Sequence, residues 1–293
     1  MALMVVLGIL MVVGIALAVA WGSVRYQPWP ATTDPGSAND RSTGVPSIEE
    51  TVRRYLRGVA VALVGGFWAG ALVTGPAMRL IMRLLAATAG PEAQGVLTEA
   101  EEVVGEIDLD GTIGLYIFGG LLPGLLSGFI YLLVRRWLPA GRAGGLVFGA
   151  LHLVLAATRI DPLRPDNPDF DIVGPGWLSV ATFAVACLLH GMAVVAFANR
   201  FSTTFPAATT DRAARVRAAL PLVLPALILI PGFPLLLPIA AGLVVALAGS
   251  RVEGSSRLVA SPAVVLSGRI VLAVAALALL PDTVLDLRDI VVR

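Results

Sequence analysis

Residues 112–134 read TIGLYIFGGLLPGLLSGFIYLLV, 23 positions without a single charge, and Arg135-Arg136-Trp137 closes them. About 20 apolar residues make a helix long enough to cross the ~30 Å hydrocarbon layer of a bilayer, where the backbone must satisfy its own hydrogen bonds. The stretch predicts a transmembrane helix. Working outward from it, the chain carries eight stretches of 14 to 23 residues almost free of charge. The expected fold is therefore all-α, a polytopic transmembrane helical bundle.

Composition points the same way. Apolar residues make up 57% of the 293 and charged residues only 14%, with a mean hydropathy of +0.86. A soluble domain carries nearer a quarter charged residues. Net charge is +1, which leaves no electrostatic footprint for nucleic acid. Every basic side chain is Arg, amid abundant Ala, Val, Gly and Leu. That bias is the mark of a GC-rich coding sequence, and the expected setting is a bacterial cytoplasmic (inner) membrane. The single cysteine, Cys187, falls inside a span and excludes an intramolecular disulfide or a cysteine metal cage.

Residues 1–21 read as an N-terminal transmembrane anchor ending at Trp21. A cleaved signal peptide is the alternative, since Ala18-Val19-Ala20 has a small-x-small shape, but no charge precedes the apolar run. Residues 22–46, with scattered Pro and Gly, read as a flexible cytoplasmic linker. Ser47-Ile48-Glu49-Glu50 is a capping box that opens the multi-span domain, 47–293. Spans follow at 58–78, continuing to about 87, then at 112–134, 144–158 and 177–198. Within the acidic connection 88–111, Thr98-Glu99-Ala100-Glu101 predicts a short helix. The apolar tract 218–248 is interrupted by Pro231-Gly232-Phe233-Pro234, which predicts two short helices joined by a tight turn; one bent span is the alternative. Ser261-Pro262 caps the last span, expected to reach Leu280.

Charge sets the expected topology. Segments 22–57, 135–142, 200–217 and 249–261 hold 14 Arg and 6 acids, whereas 84–111, 159–174 and 281–293 hold 4 Arg and 14 acids. Arginine-rich loops stay in the cytoplasm. With eight spans both termini lie outside; a bent 218–248 gives seven.

Five polar residues in or beside spans are candidates for a solute path. Arg269 stands seven positions into the last span, and an ionisable group at that depth is a functional candidate. Snorkelling along its apolar stem is the alternative. His152 and His190 are the only histidines. Counted from Arg159 and Trp177 their depths differ by about 10 Å, which argues against a shared haem and for separate interhelical hydrogen bonds. In the hairpin reading of 218–248, Arg269 is expected to approach His190; in the bent-span reading, His152. Arg79 and Arg83 share one helix face and either draw in an anion or bridge to Glu99, Glu101, Glu102 or Asp161, bridging being the expectation. Glu106, Asp108, Asp110 and Gly111 match the start of an EF-hand loop, but position 12 is Ile117. Asp161, Asp166, Asp169 and Asp171 form a second acidic group; Ca²⁺ or Mg²⁺ binding is the alternative, and neutralisation by Arg79, Arg83, Arg159 and Arg164 is the expectation. No metal or other cofactor is expected.

Glycines carry a packing signal. Gly120, Gly124 and Gly128 in one span, and Gly66 and Gly70 in another, stand at the spacing that lets helix backbones approach. Ser127 lies within the first set as an interhelical hydrogen bonder; it lacks the surroundings of a nucleophile elbow. The expected function is a small-solute transporter or channel-like bundle, the alternative a non-catalytic membrane scaffold or complex subunit. A membrane enzyme comes third, since no catalytic motif is present. The bilayer is the expected partner, with a membrane-protein partner or a homo-oligomer alongside it.

Overall fold

In the computed structural model, residues 2–28, 47–205, 223, 225, 227, 233–252, 258–259 and 261–293 are described. Seven apolar helices stand out among them: α1 (Ala2–Trp21), α2 (Ile48–Thr88), α3 (Leu109–Val134), α4 (Arg142–Ala157), α5 (Gly176–Thr204), α6 (Phe233–Ser250) and α7 (Pro262–Val291). Six are long and apolar enough to cross a membrane; α4 is shorter. The fold is all-α among the described residues, with one isolated β-bridge. The exposed faces of α6 and α7 are themselves apolar, with Leu237, Val244, Val245, Val274 and Leu277 open, and only 6% of the α7 window is buried. A soluble protein rarely leaves so much apolar surface bare, and a membrane protein requires it.

Helix ends follow local chemistry. The Ser47 side chain accepts the Glu50 amide at the start of α2, and that of Ser261 accepts the Val264 amide at the start of α7, with Pro262 in its first turn. α7 runs on through Pro281 to Val291, beyond the expected end at Leu280. Apart from residues 223, 225 and 227, the first half of the 218–248 tract lies outside the described residues; its second half is α6. Residues 29–46 of the expected linker also lie outside them. Residues 22–28 are held in place, because Asn199 Nδ2 donates to the Val24 carbonyl and the Gln27 amide to Ser202 Oγ.

Three helices contain a widened π-turn: 70–74 in α2, 117–121 in α3 and 153–157 in α4. The first two each lie just before a proline, Pro76 or Pro123. Proline offers no N–H, so the preceding turn gives up one bond and must place its carbonyl elsewhere. In α2 the Gly75 amide binds Gly70 O, and the Ala71 carbonyl next in line meets the hydroxyl of Tyr116 from α3. In α4 the freed Val154 carbonyl takes Arg159 Nη1 at 2.9 Å and Thr283 Oγ1 at 3.0 Å.

α2 and α3 cross through their glycines. A Cβ on Gly70 would stand 2.5 Å from the Gly120 carbonyl oxygen, and one on Gly124 would be 3.1 Å from Gly70 Cα. Gly66 lies against Gly124 and Gly128, and Gly128 against Ala62. α4 meets α5 the same way, with Gly145 and Gly149 against Met192 and Leu188. Backbones in contact leave no room for water between them.

The connections gather into two faces. On one, Arg142 reaches the Val19 carbonyl, Arg57 the Ser202 and Gln27 carbonyls, and Arg135 stacks 3.9 Å over the Tyr26 ring. On the other, Arg164 grips both Glu99 oxygens, the Glu99 amide donates to Asp169, and Arg293 donates to the Pro165 carbonyl. These are the arginine-rich and acidic segments of the sequence. α7 rises from Gly268, packed on Trp137 at the arginine-rich face, to Ile290, packed on Gly176 at the acidic face.

Candidate functional site

Beneath the acidic face lies a cavity of about 520 Å³, within the roughly 300–1,000 Å³ range of ligand pockets. α2 forms one wall with Met78, Arg79, Met82 and Arg83; α3 forms another with Gly114, Leu115, Phe118 and Gly119. The loops 89–108 and 159–174 roof it, contributing Glu99, Glu102, Glu106, Asp161 and Asp169.

The roof is built by short-range bonds. Residues 98–101 form a tight turn where a helix was expected. Leu97 and Val103 bridge, Thr98 Oγ1 accepts the Glu102 amide, and Glu101 adopts φ 60°. Pairing of the flanking residues outweighs the helical preference of Glu and Ala in so short a segment. Asp108 accepts the Gly111 amide and so caps α3. Its side chain therefore serves the helix rather than an EF-hand loop. Burial raises the Asp169 carboxyl above the ordinary carboxylate value, against the pull of the Glu99 amide it accepts. Thr88 Oγ1 donates to the Gly174 carbonyl, tying the second loop to the end of α2.

Arg79 and Arg83 do not bridge to the acids as expected. Arg79 Nε donates to Thr112 Oγ1 at 3.1 Å and Arg83 Nη1 to the Gly105 carbonyl at 2.9 Å. Among the described residues neither makes an ion pair, because Glu99 is taken by Arg164 and the remaining roof acids stay beyond bridging distance. Arg79 Nη2 is buried with no hydrogen-bond partner. A buried guanidinium N–H without an acceptor is costly, and it lines a space large enough to hold one.

Below the cavity floor lies a polar chain through the bundle. His190 Nδ1 is 2.6 Å from Thr74 Oγ1, His190 Nε2 is 2.8 Å from Ser127 Oγ, and His152 Nε2 is 2.9 Å from the same oxygen. His152 Nδ1 is 2.8 Å from the Phe148 carbonyl. That carbonyl only accepts, so for uncharged rings every direction follows. His152 donates through Nδ1, Ser127 donates to His152, His190 donates through Nε2 to Ser127, and Thr74 donates to His190. The chain joins α2, α3, α4 and α5 and ends at a backbone carbonyl. All its members are satisfied.

The expected depth mismatch between the histidines is corrected: their ring centroids are 5.4 Å apart. Counting from Arg159 and Trp177 misled, because α5 extends to the acidic face while the shorter α4 stops beneath the 159–174 loop. Counted from the other end, His152 stands ten residues after Arg142 and His190 ten before Arg200, both about 15 Å deep. Arg269 makes no hydrogen bond to either ring, whose nitrogens are taken by Thr74, Ser127 and the Phe148 carbonyl. Gly268 supplies the close contact to Trp137, and its neighbour Arg269 is turned outward and exposed. It lies outside the cavity lining.

Ser127, His152 and His190 are legible in the sequence as interhelical hydrogen bonders, whereas Thr74, Thr112 and Tyr116 are not. The available signal was Thr74-Gly75-Pro76, a hydroxyl beside a proline-broken turn. Compared with family models, with curated proteins and with solved structures, this chain matches none of them.

Proposed function

We propose that the protein is a membrane carrier for a solute bearing an anionic group, bound in the cavity by Arg79 and Arg83. The observation that carries this reading is the buried, unpartnered Nη2 of Arg79 on the cavity wall. Two guanidinium groups spaced i, i+4 offer a planar set of donors to a carboxylate or phosphate. The π-turns support movement, since 70–74 lies one turn below Met78 and 117–121 includes the lining residues Phe118 and Gly119, where a helix bends with least cost. The proposed topology is the eight-span one, in a bacterial cytoplasmic membrane, with the arginine-rich face inside. It is supported by the loop charges and by the sorting of the segments onto two faces.

One observation favours a non-transporting scaffold or subunit: the glycine contacts of α2 and α3 leave no gap between these two helices below the cavity. Titration of the protein in nanodiscs with acetate, benzoate, methyl phosphate and dodecyl phosphate tests the site. At least one should bind, and Arg79→Gln should weaken it tenfold or more. Flux of that anion into protein-containing liposomes, above protein-free liposomes, supports the carrier; binding without flux supports the scaffold.

A further inference from the structure

We propose that the cavity takes its ligand from the lipid: an amphiphile whose anionic group sits against Arg79 and Arg83 while its alkyl chain lies along α3 toward Phe118. This rests on the anion-site reading above and names the ligand class and its route.

The first observation is the lower mouth. Phe118 lines the cavity and yet is 67% exposed. It stands nine residues below Leu109, the first residue of α3, about 13 Å along the helix. A side chain exposed at that depth of a spanning helix meets acyl chains, not water. A Cβ on Gly114 would meet nothing within 4 Å, so the wall is open one turn above Phe118 as well. Met78, Leu115 and Gly119 make the rest of this edge apolar.

The second observation is the sign of the roof. Glu99, Glu102, Glu106, Asp161 and Asp169 line the cavity from the loops that roof it, on the side of the acidic face. Arg164 offsets Glu99, and the Glu102 carboxylate rests over Gly111 in the first turn of α3, where helix N–H groups favour negative charge. The remaining carboxylates still repel an anion arriving from water, through a low-dielectric cleft that focuses their field. The lipid side carries no such barrier. An apolar mouth, cations at mid-height and an acidic lid match an amphiphile with its charge next to its tail.

The test is binding to the protein in nanodiscs, referenced to empty nanodiscs, with dodecyl phosphate and methyl phosphate as probes. Dodecyl phosphate should bind more than tenfold tighter than methyl phosphate. Gly114→Trp, which fills open space and displaces nothing in the core, should weaken dodecyl phosphate at least tenfold. Arg79→Gln should weaken it likewise, and Arg79→Lys should restore part of the affinity. Equal binding of the two probes, or full affinity in Gly114→Trp, overturns the lipid route and leaves the anion site standing. Absence of binding by both probes overturns this inference; absence of binding by acetate and benzoate as well, or an unchanged dodecyl phosphate affinity in Arg79→Gln, overturns the anion site itself and this inference with it.

Discussion

The Tyr116 hydroxyl of α3 donates to the Ala71 carbonyl of α2, the acceptor that Pro76 leaves without an intrahelical partner. A tyrosine from one helix thus completes the backbone of another at the level where both widen into π-turns. The bond fixes how α2 and α3 meet just under the cavity.

Removing that hydroxyl strands a carbonyl away from water. Tyr116→Phe is expected to cost about 1–3 kcal/mol of stability, the usual penalty for an unsatisfied buried group. Thermal unfolding in detergent should show a lowered midpoint, with anion affinity nearly unchanged. An unaltered midpoint would mean the carbonyl is satisfied by something else.

Gly124 faces Gly66 and Gly70 backbone to backbone. Gly124→Leu forces the helices apart and is expected to destabilise the protein by about 1–3 kcal/mol or more, as overpacking does. Gly8→Leu is the control, because a Cβ there meets nothing within 4 Å. The unfolding midpoints of the two variants, compared with the parent, check this; similar values would contradict the packing.

The histidine chain makes a spectroscopic prediction. His152 should carry its proton on Nδ1 and His190 on Nε2, opposite tautomers in adjacent rings. Solid-state ¹⁵N spectra of histidine-labelled protein in lipid report both. Ser127→Ala should remove the shared oxygen and cost about 1–3 kcal/mol. Identical tautomers in the two rings would break the assigned directions.

Much of the fold was legible in the sequence, because charge-free length and Ser or Pro at helix starts act locally. The cap at Ser47 and the Ser261-Pro262 start are examples. The site was less so. Whether Arg79 pairs with Glu102 or hydrogen-bonds Thr112 depends on how the loop 89–108 folds back, which no periodicity encodes. Residues 98–101 read as helix in isolation because Leu97 and Val103 pair only once the loop is closed. Arg159 and Trp177 do not share a plane, so depth measured from them sets His152 and His190 apart although their rings are neighbours. Arg269 drew attention through its position in a span, but the contact at that level belongs to Gly268, and its exposed side chain fits snorkelling to the nearby face.

Sidedness has its own test. In a Cys187→Ser background, cysteine at Ala100, exposed on the acidic face, should react with an impermeant thiol reagent in intact cells. Cysteine at Ala140, exposed on the arginine-rich face, should be protected until the membrane is opened. The reverse pattern would invert the proposed orientation.

The most direct measurement compares two arginines. Dodecyl phosphate is titrated into the parent protein, Arg79→Gln and Arg269→Gln, each in nanodiscs and each shown to be folded by its unfolding midpoint. The cavity site requires that Arg79→Gln lose tenfold or more in affinity while Arg269→Gln binds as the parent does. Loss of binding in Arg269→Gln with full affinity in Arg79→Gln would place the anion elsewhere and contradict the assignment.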